Sequence, residues 1–142
     1  MNNVQKGEQF KILTAKLLSE YFEADYRLEI PFSLGNTLKQ HKVDIAFPDK
    51  KIIVECKAYT YTASGNNPSA KISTFIEAVN YMNKLPLGYV KIIALKRATH
   101  PSKRESLAEY IVRTKKVMLG DVHVVEVDEN TNRISFLTGK LD

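Results

Sequence analysis

Two acidic residues and a lysine stand inside two short, otherwise apolar segments near the middle of the chain. Residues 42–59 read KVDIAFPDKKIIVECKAY, and this stretch holds Asp44, Glu55 and Lys57. A charged side chain in a buried strand costs free energy unless a partner compensates its charge. The three residues therefore require an explanation, either in chemistry or in pairing.

The turn between the two segments predicts how these side chains face each other. If residues 48–51 form the turn, antiparallel pairing places Asp44 directly opposite Glu55. Residues two apart on a strand share a face, so Lys57 is expected to lie beside Glu55. The opposite face is predicted to be apolar and to carry Val43, Ile45, Phe47, Ile52, Val54 and Cys56.

Two carboxylates side by side repel each other, and a positive group is needed to bridge them. Lys57 can do this in part, and a divalent cation can do it better. Mg²⁺ prefers oxygen ligands and often takes only one or two carboxylates, with water and substrate phosphate oxygens completing its shell. Such an ion activates water for phosphodiester hydrolysis, while a nearby lysine stabilises the developing charge.

The alternative interpretation is a cross-strand ion pair on the solvent-exposed face of a sheet, which stabilises little. A Glu-x-Lys triplet is expected by chance about once in a chain of this size. The position of this triplet on a strand, the Asp placed opposite it and the apolar back face favour the functional interpretation.

The elements that must position these residues follow from periodicity and turn signals. The predicted order is helix, three strands, helix, strand, helix and two strands, which indicates an α/β fold with a mixed sheet flanked by helices. The first three strands are expected to be antiparallel neighbours, and the second helix leads to a strand parallel to one of them. The predicted helices span residues 4–22, 68–82 and 102–116, and the strands 26–32, 41–47, 51–59, 89–95, 122–127 and 134–137.

Local signals predict the ends and inner faces of these helices. Asn67-Pro68 is expected to cap the second helix, and the spacing of Ser102 and Glu105 predicts a capping box for the third. Pro31 and Gly35-Asn36 are expected to end the first strand. The inner face of the first helix is predicted to comprise Phe10, Leu13, Leu17, Leu18 and Tyr21.

Composition limits the classes of protein that this chain can belong to. Its 142 residues, 44% of them hydrophobic, suit a single domain with a real core. No apolar run approaches the ~20 residues of a membrane helix, and no signal peptide is recognisable, so we expect a soluble, cytoplasmic protein without a membrane partner. Cys56 and the three histidines have no zinc-site spacing.

Charge and its placement suggest a polyanionic partner. Lys plus Arg number 21 against 16 Asp plus Glu, a formal charge of +5, which suits nucleic acid. The best candidates for phosphate contacts are Lys96, Arg97, Lys103 and Arg104, which lie beside a predicted helix N-terminus. A solvated loop is an equally good interpretation of that stretch.

Val43-Asp44 followed by Glu55-Cys56-Lys57 resembles the PD-(D/E)xK nuclease superfamily, which has the restriction-endonuclease-like fold. The resemblance covers about residues 4–97 and includes the element order α-β-β-β-α-β. It implies a three-layer fold in which Asp44 and Glu55 are metal ligands, the backbone carbonyl of Cys56 also faces the metal, and Lys57 is the catalytic lysine. It further implies a Mg²⁺-dependent endonuclease acting on DNA, with Mn²⁺ able to substitute.

Two further site residues are suggested by the same resemblance. Many members of the superfamily place a Glu on the first helix, and Glu8 is the candidate here, although Lys11 stands where Phe-Glu versions of the pattern have the acid. Lys71 is the candidate for a polar residue from the second helix. Val43 occupies the position of the proline in the motif name.

The expected assembly is a single nuclease-like domain, spanning residues 1–142, that acts as a homodimer or in a larger nuclease complex. Two alternatives remain open from the residues. One is a nuclease-like nucleic-acid-binding or assembly subunit without catalysis. The other keeps the chemistry but changes the substrate to a DNA junction or to RNA, which charge and metal sites serve equally well.

Overall fold

In a computed structural model, which describes residues 1–33, 40–85 and 88–141, six strands form one mixed sheet in which each strand lies beside the next along the chain. The predicted order of helices and strands is observed. The helices are α1 (Asn3–Phe22), α2 (Ser69–Met82) and α3 (Leu107–Lys115). The strands are β1 (Arg27–Ser33), β2 (Gln40–Phe47), β3 (Ile52–Lys57), β4 (Val90–Lys96), β5 (Val122–Asp128) and β6 (Arg133–Phe136).

The pairing of the strands follows from the connections between them. β1, β2 and β3 are antiparallel neighbours, and β4 is parallel to β3, as expected. α2 connects β3 to β4 and α3 connects β4 to β5, which is also parallel, whereas β6 returns antiparallel to β5. The carboxyl ends of β3, β4 and β5 therefore meet at one edge of the sheet.

Helices cover both faces of the sheet. One apolar cluster joins α1 to the first face through Phe10, Leu18 and Phe22, which pack with side chains such as Phe47. A second cluster joins α2 and α3 to the other face and has Phe75 among its fully buried members. Because parallel strands are covered on both faces, β4 reads as a nearly continuous apolar run.

The buried stripe of α1 differs from the predicted one. Leu13 and Leu17 are only partly buried and Tyr21 is exposed. Small side chains allow a helix to approach a sheet closely. In α1, Thr14 and Ala15 face the sheet, so the buried face is rotated away from the one that hydropathy predicts. The buried residues of α1 are Phe10, Lys11, Thr14, Ala15, Leu18 and Phe22.

Two predicted caps were wrong. α3 begins after Ser106, whose side chain accepts from the Glu109 N–H in a capping box, so the box is not the one at Ser102. Ser102 instead lies in a turn, where its N–H donates to His100 Nδ1. α2 begins at Ser69 with Pro68 in the cap position, where no side chain caps the helix.

β1 continues through Pro31 to Ser33 instead of ending at the proline. β1 lies at the edge of the sheet, where a strand tolerates a proline because one side of it makes no ladder bonds. The predicted turn at Gly35-Asn36 lies outside the described residues. Within the described part of the chain, no helix has the length and apolar character needed to span a membrane.

Candidate functional site

Asp44 and Glu55 lie opposite each other on β2 and β3. The predicted register is confirmed by the pairs that precede them, of which Ile45 with Val54 is the nearest. Beyond that pair, the two acids take over hydrogen bonds of the ladder. The Asp44 N–H donates to Glu55 Oε1 at 3.2 Å, and the Cys56 N–H donates to Asp44 Oδ2 at 2.7 Å.

The apolar face predicted for β2 and β3 is observed only in part. Ile45 packs under α1, but Val43 packs on the face of α2 and α3. The regular alternation of side chains along β2 is interrupted beside Glu29 of β1, which has a left-handed φ of 59°. Leu28 pairs with Ile45 and Ile30 with Val43, so the irregularity lies at Glu29 and at Asp44 across from it.

The pKa of Asp44 is raised to about 7. Burial is the largest cause, and repulsion by the Glu55 carboxylate adds to it, while the hydrogen bond from the Cys56 N–H opposes both. Lys11 also lowers the pKa of Asp44, but to a smaller extent. Near neutral pH this pair therefore carries negative charge that its surroundings compensate only in part.

Glu55 is itself buried and is held from the side of α2. The Tyr81 hydroxyl donates a short hydrogen bond to Glu55 Oε2, and His41 Nε2 lies 3.3 Å from the same oxygen. The rings of His41 and Tyr81 lie with their centroids 4.0 Å apart. Burial raises the pKa of Tyr81 and the Glu55 charge adds to that shift, so this hydroxyl remains a donor.

A second charged group lies between α1 and β1. The Lys11 ammonium is 2.5 Å from Glu29 and 2.9 Å from Glu8, and only 7% of the Lys11 side chain is exposed. Burial lowers the pKa of Lys11, but the hydrogen bonds to Glu29 and Glu8 outweigh it, and the net pKa is raised. Glu8 is thus engaged by Lys11, and among the described residues no hydrogen bond or ion pair joins it to Asp44 or Glu55.

A cleft of about 770 Å³ opens beside the end of β3. Lys57 and Cys56 line it, together with Lys71 from the first turn of α2 and Lys96 from the end of β4. Lys57 forms no ion pair with a carboxylate among the residues described. Burial raises the pKa of the Cys56 thiol, which disfavours its ionisation.

The predicted phosphate-binding stretch is divided by the fold. Arg97 pairs with Glu126 at 3.1 Å and with Glu109 at 3.7 Å, which ties β4 to β5 and α3. Lys96 lines the cleft and lies 3.9 Å from Glu129. Lys103 and Arg104 are exposed on the segment that precedes α3.

Oxygen donors for a hard cation are present in the acid pair. Asp44 and Glu55 offer two adjacent carboxylates, and a cation between them would relieve the repulsion that adds to burial in raising the pKa of Asp44. Two carboxylates suit Mg²⁺, which completes its shell with water and phosphate oxygens, although each Glu55 oxygen already accepts a hydrogen bond from the protein. In residues 1–33, 40–85 and 88–141, no three His, Cys, Asp or Glu side chains converge as a ligand set.

Four residues of this region were missed by the sequence analysis: Lys11, Glu29, His41 and Tyr81. Lys11 had a detectable signal, because it shares the helical spacing of the buried Thr14, Ala15 and Leu18. The positive φ of Glu29 and the approach of Tyr81 to Glu55 depend on tertiary structure and leave no local signal.

The fold and site define an α/β protein with a mixed open sheet, in which buried Glu55 and partly buried Asp44 lie near a lysine-lined cleft. No protein-family model matches the chain, and neither curated proteins nor solved structures include a match to it.

Proposed function

We propose that this protein is a Mg²⁺-dependent endonuclease of the PD-(D/E)xK type that hydrolyses phosphodiester bonds in DNA. The observation that carries the proposal is the direct opposition of Asp44 and Glu55, one residue before Cys56 and Lys57 enter the cleft. A largely desolvated acid pair near a cleft lined by lysines suits a reaction in which a metal ion and a phosphate meet.

Each residue of the site has a distinct role in this proposal. Asp44, Glu55 and the Cys56 carbonyl hold Mg²⁺, which supplies an activated water and charge neutralisation on the phosphate when bound. Lys57 stabilises negative charge that develops on the phosphate and orients the attacking water. Tyr81 orients Glu55 through its hydrogen bond. Lys71 and Lys96 bind phosphates on either side of the scissile one.

Cutting both strands of a duplex requires two active sites, so a twofold homodimer or a larger nuclease complex is part of the proposal. Lys103 and Arg104, which are exposed, provide contacts to the backbone outside the cleft. We place the protein in the cytoplasm, where its DNA substrate would be found.

Cleavage of supercoiled plasmid in Mg²⁺ or Mn²⁺ tests the proposal. Nicking that EDTA stops, and that Asp44→Asn and Lys57→Ala each abolish, would support it. Asp49→Asn and Lys50→Ala are matched controls, because both residues are exposed in the turn before β3. Equal activity of the site variants and the wild type would contradict the assignment of the site.

A second candidate function is nucleic-acid binding without catalysis. It is favoured by the engagement of both Glu55 oxygens within the protein, one with the Asp44 N–H and the other with Tyr81. It predicts salt-dependent retardation of nucleic acid in gels with no cleavage in either metal. Parallel assays on four-way junctions and on RNA distinguish the remaining substrates.

A further inference from the structure

Lysines from four elements line the cleft beside β3. Lys57 and Lys96 are the last residues of β3 and β4, Lys6 lies on α1, and Lys71 lies on α2. Among the described residues that line the cleft, the one acid is Glu129, and it lies 3.9 Å from Lys96. The cleft therefore carries a net positive charge that suits successive phosphates of one strand.

Gly7 forms part of the cleft wall within the second turn of α1. A Cβ at this position would meet no atom within 4 Å, so packing does not require a glycine here. Its φ is also not in the left-handed region. Glycine in a helix interior is less stable than alanine. A bare helix surface at this point is consistent with the close approach of a ligand backbone.

The size of the cleft restricts what can enter it. A volume of about 770 Å³ is that of a small-molecule pocket. A space of this size suits one or two nucleotides of an unpaired strand, whose bases can turn into it, whereas the bases of a duplex enter only after unpairing and unstacking.

We propose that this cleft binds a single-stranded segment of the polynucleotide, with its phosphates on Lys6, Lys57, Lys71 and Lys96 and its backbone passing over Gly7. The inference rests on the proposed function, because it specifies the substrate class of the nuclease whose acid pair lies beside this cleft on β2 and β3. Frayed ends, flaps and unpaired junction arms are then better substrates than a continuous duplex.

The test is fluorescence anisotropy of a labelled oligothymidine of ~12 nucleotides against a duplex of the same length, in EDTA so that nothing is cleaved. We expect the single strand to bind at least ~10-fold more tightly. Lys6→Ala and Lys71→Ala should each weaken it by about two- to fivefold and reduce the salt slope by ~0.7. Lys50→Ala, far from the cleft, should change neither quantity.

Gly7→Gln separates a ligand contact from a structural role. It should weaken single-strand binding at least as much as Lys71→Ala, while the Tm stays at or above that of the wild type because helix propensity improves. Ser73→Gln is the matched control, since Ser73 is exposed on α2 and does not line the cleft.

Duplex binding as tight as single-strand binding, or unchanged affinity in Gly7→Gln, would overturn this inference. Because binding is measured without a metal, single-strand preference without cleavage in Mg²⁺ would refute catalysis alone. Plasmid cleavage without single-strand preference would refute only the inference about the cleft.

Discussion

Lys11 and Glu29 form an ion pair of 2.5 Å that joins α1 to β1, and Glu29 itself has a left-handed backbone conformation. A non-glycine residue in that conformation costs roughly 1–2 kcal/mol. The strain coincides with the position of Asp44 on the neighbouring strand, where regular pairing is interrupted. The ion pair therefore supports a local geometry that regular β-structure would not provide.

Removing the carboxylates around Lys11 should cost more stability than removing Lys11 itself. The Glu8→Gln, Glu29→Gln double variant leaves a largely buried ammonium without an anionic partner, and we expect a loss of about 2 kcal/mol. Lys11→Met keeps the apolar stem and leaves two carboxylates that are half exposed, so its loss should stay within about 1 kcal/mol. Urea unfolding near neutral pH measures both, and an equal loss would contradict the role of the pair.

Asp44→Asn should stabilise the protein above neutral pH when no divalent cation is present. The folded pKa of Asp44 is about 7 against an ordinary 3.8, so the folded state binds the proton more tightly than the unfolded chain does. This stability is fully present below the ordinary pKa and is lost as the pH rises through the folded value. Asparagine avoids the buried charge and still accepts a hydrogen bond from the Cys56 N–H.

We expect Asp44→Asn to exceed the wild type by about 2 kcal/mol near pH 8 and to match it below about pH 4. Urea unfolding across this range, in EDTA, measures the difference. Asp49→Asn, in the exposed turn, should show no such pH dependence. A variant that is less stable than the wild type at every pH would exclude an uncompensated charge on Asp44.

Mg²⁺ should stabilise the wild-type fold through the same pair of acids. A ligand that binds only the folded state adds about 1.4 kcal/mol when its concentration is ten times its Kd. The Tm in Mg²⁺ should therefore rise for the wild type and for Asp49→Asn but not for Asp44→Asn. Differential scanning calorimetry gives this result independently of any cleavage, and a rise that persists in Asp44→Asn would place the metal elsewhere.

Tyr81→Phe should destabilise the protein and lower nuclease activity. The hydroxyl donates to the buried Glu55 carboxylate, and the loss of a hydrogen bond to a charged group costs about 1.5–3 kcal/mol. The phenylalanine keeps its ring against His41. Tyr110→Phe, on α3, is the control, because its hydroxyl makes no hydrogen bond in the described part of the structure.

If Tyr81 only stabilises the fold, the activity of folded Tyr81→Phe should equal that of the wild type at low temperature. If it orients Glu55, the activity should fall while the protein stays folded, and a higher Mg²⁺ concentration should restore part of it. Plasmid nicking over a range of Mg²⁺ concentrations separates the two outcomes.

Much of the architecture could be predicted from local patterns. The hairpin register, the antiparallel first three strands and the parallel β4 were all predicted, since hydrophobic alternation and connection length determine them. The wrong cap of α3 has a clear cause. Ser102 and Ser106 both begin a Ser-x-x-Glu spacing, and only packing of the apolar face of α3 selects the second.

The sequence by itself determined that Asp44 faces Glu55, because side-chain alternation and a short turn leave one favourable register for β2 and β3. It also placed Lys57 on the same strand as Glu55. Only the tertiary structure brought Tyr81 to Glu55, Lys11 between Glu8 and Glu29, and four lysines to one cleft. Those contacts join residues on separate elements, and they form only when both faces of the sheet have buried their helices.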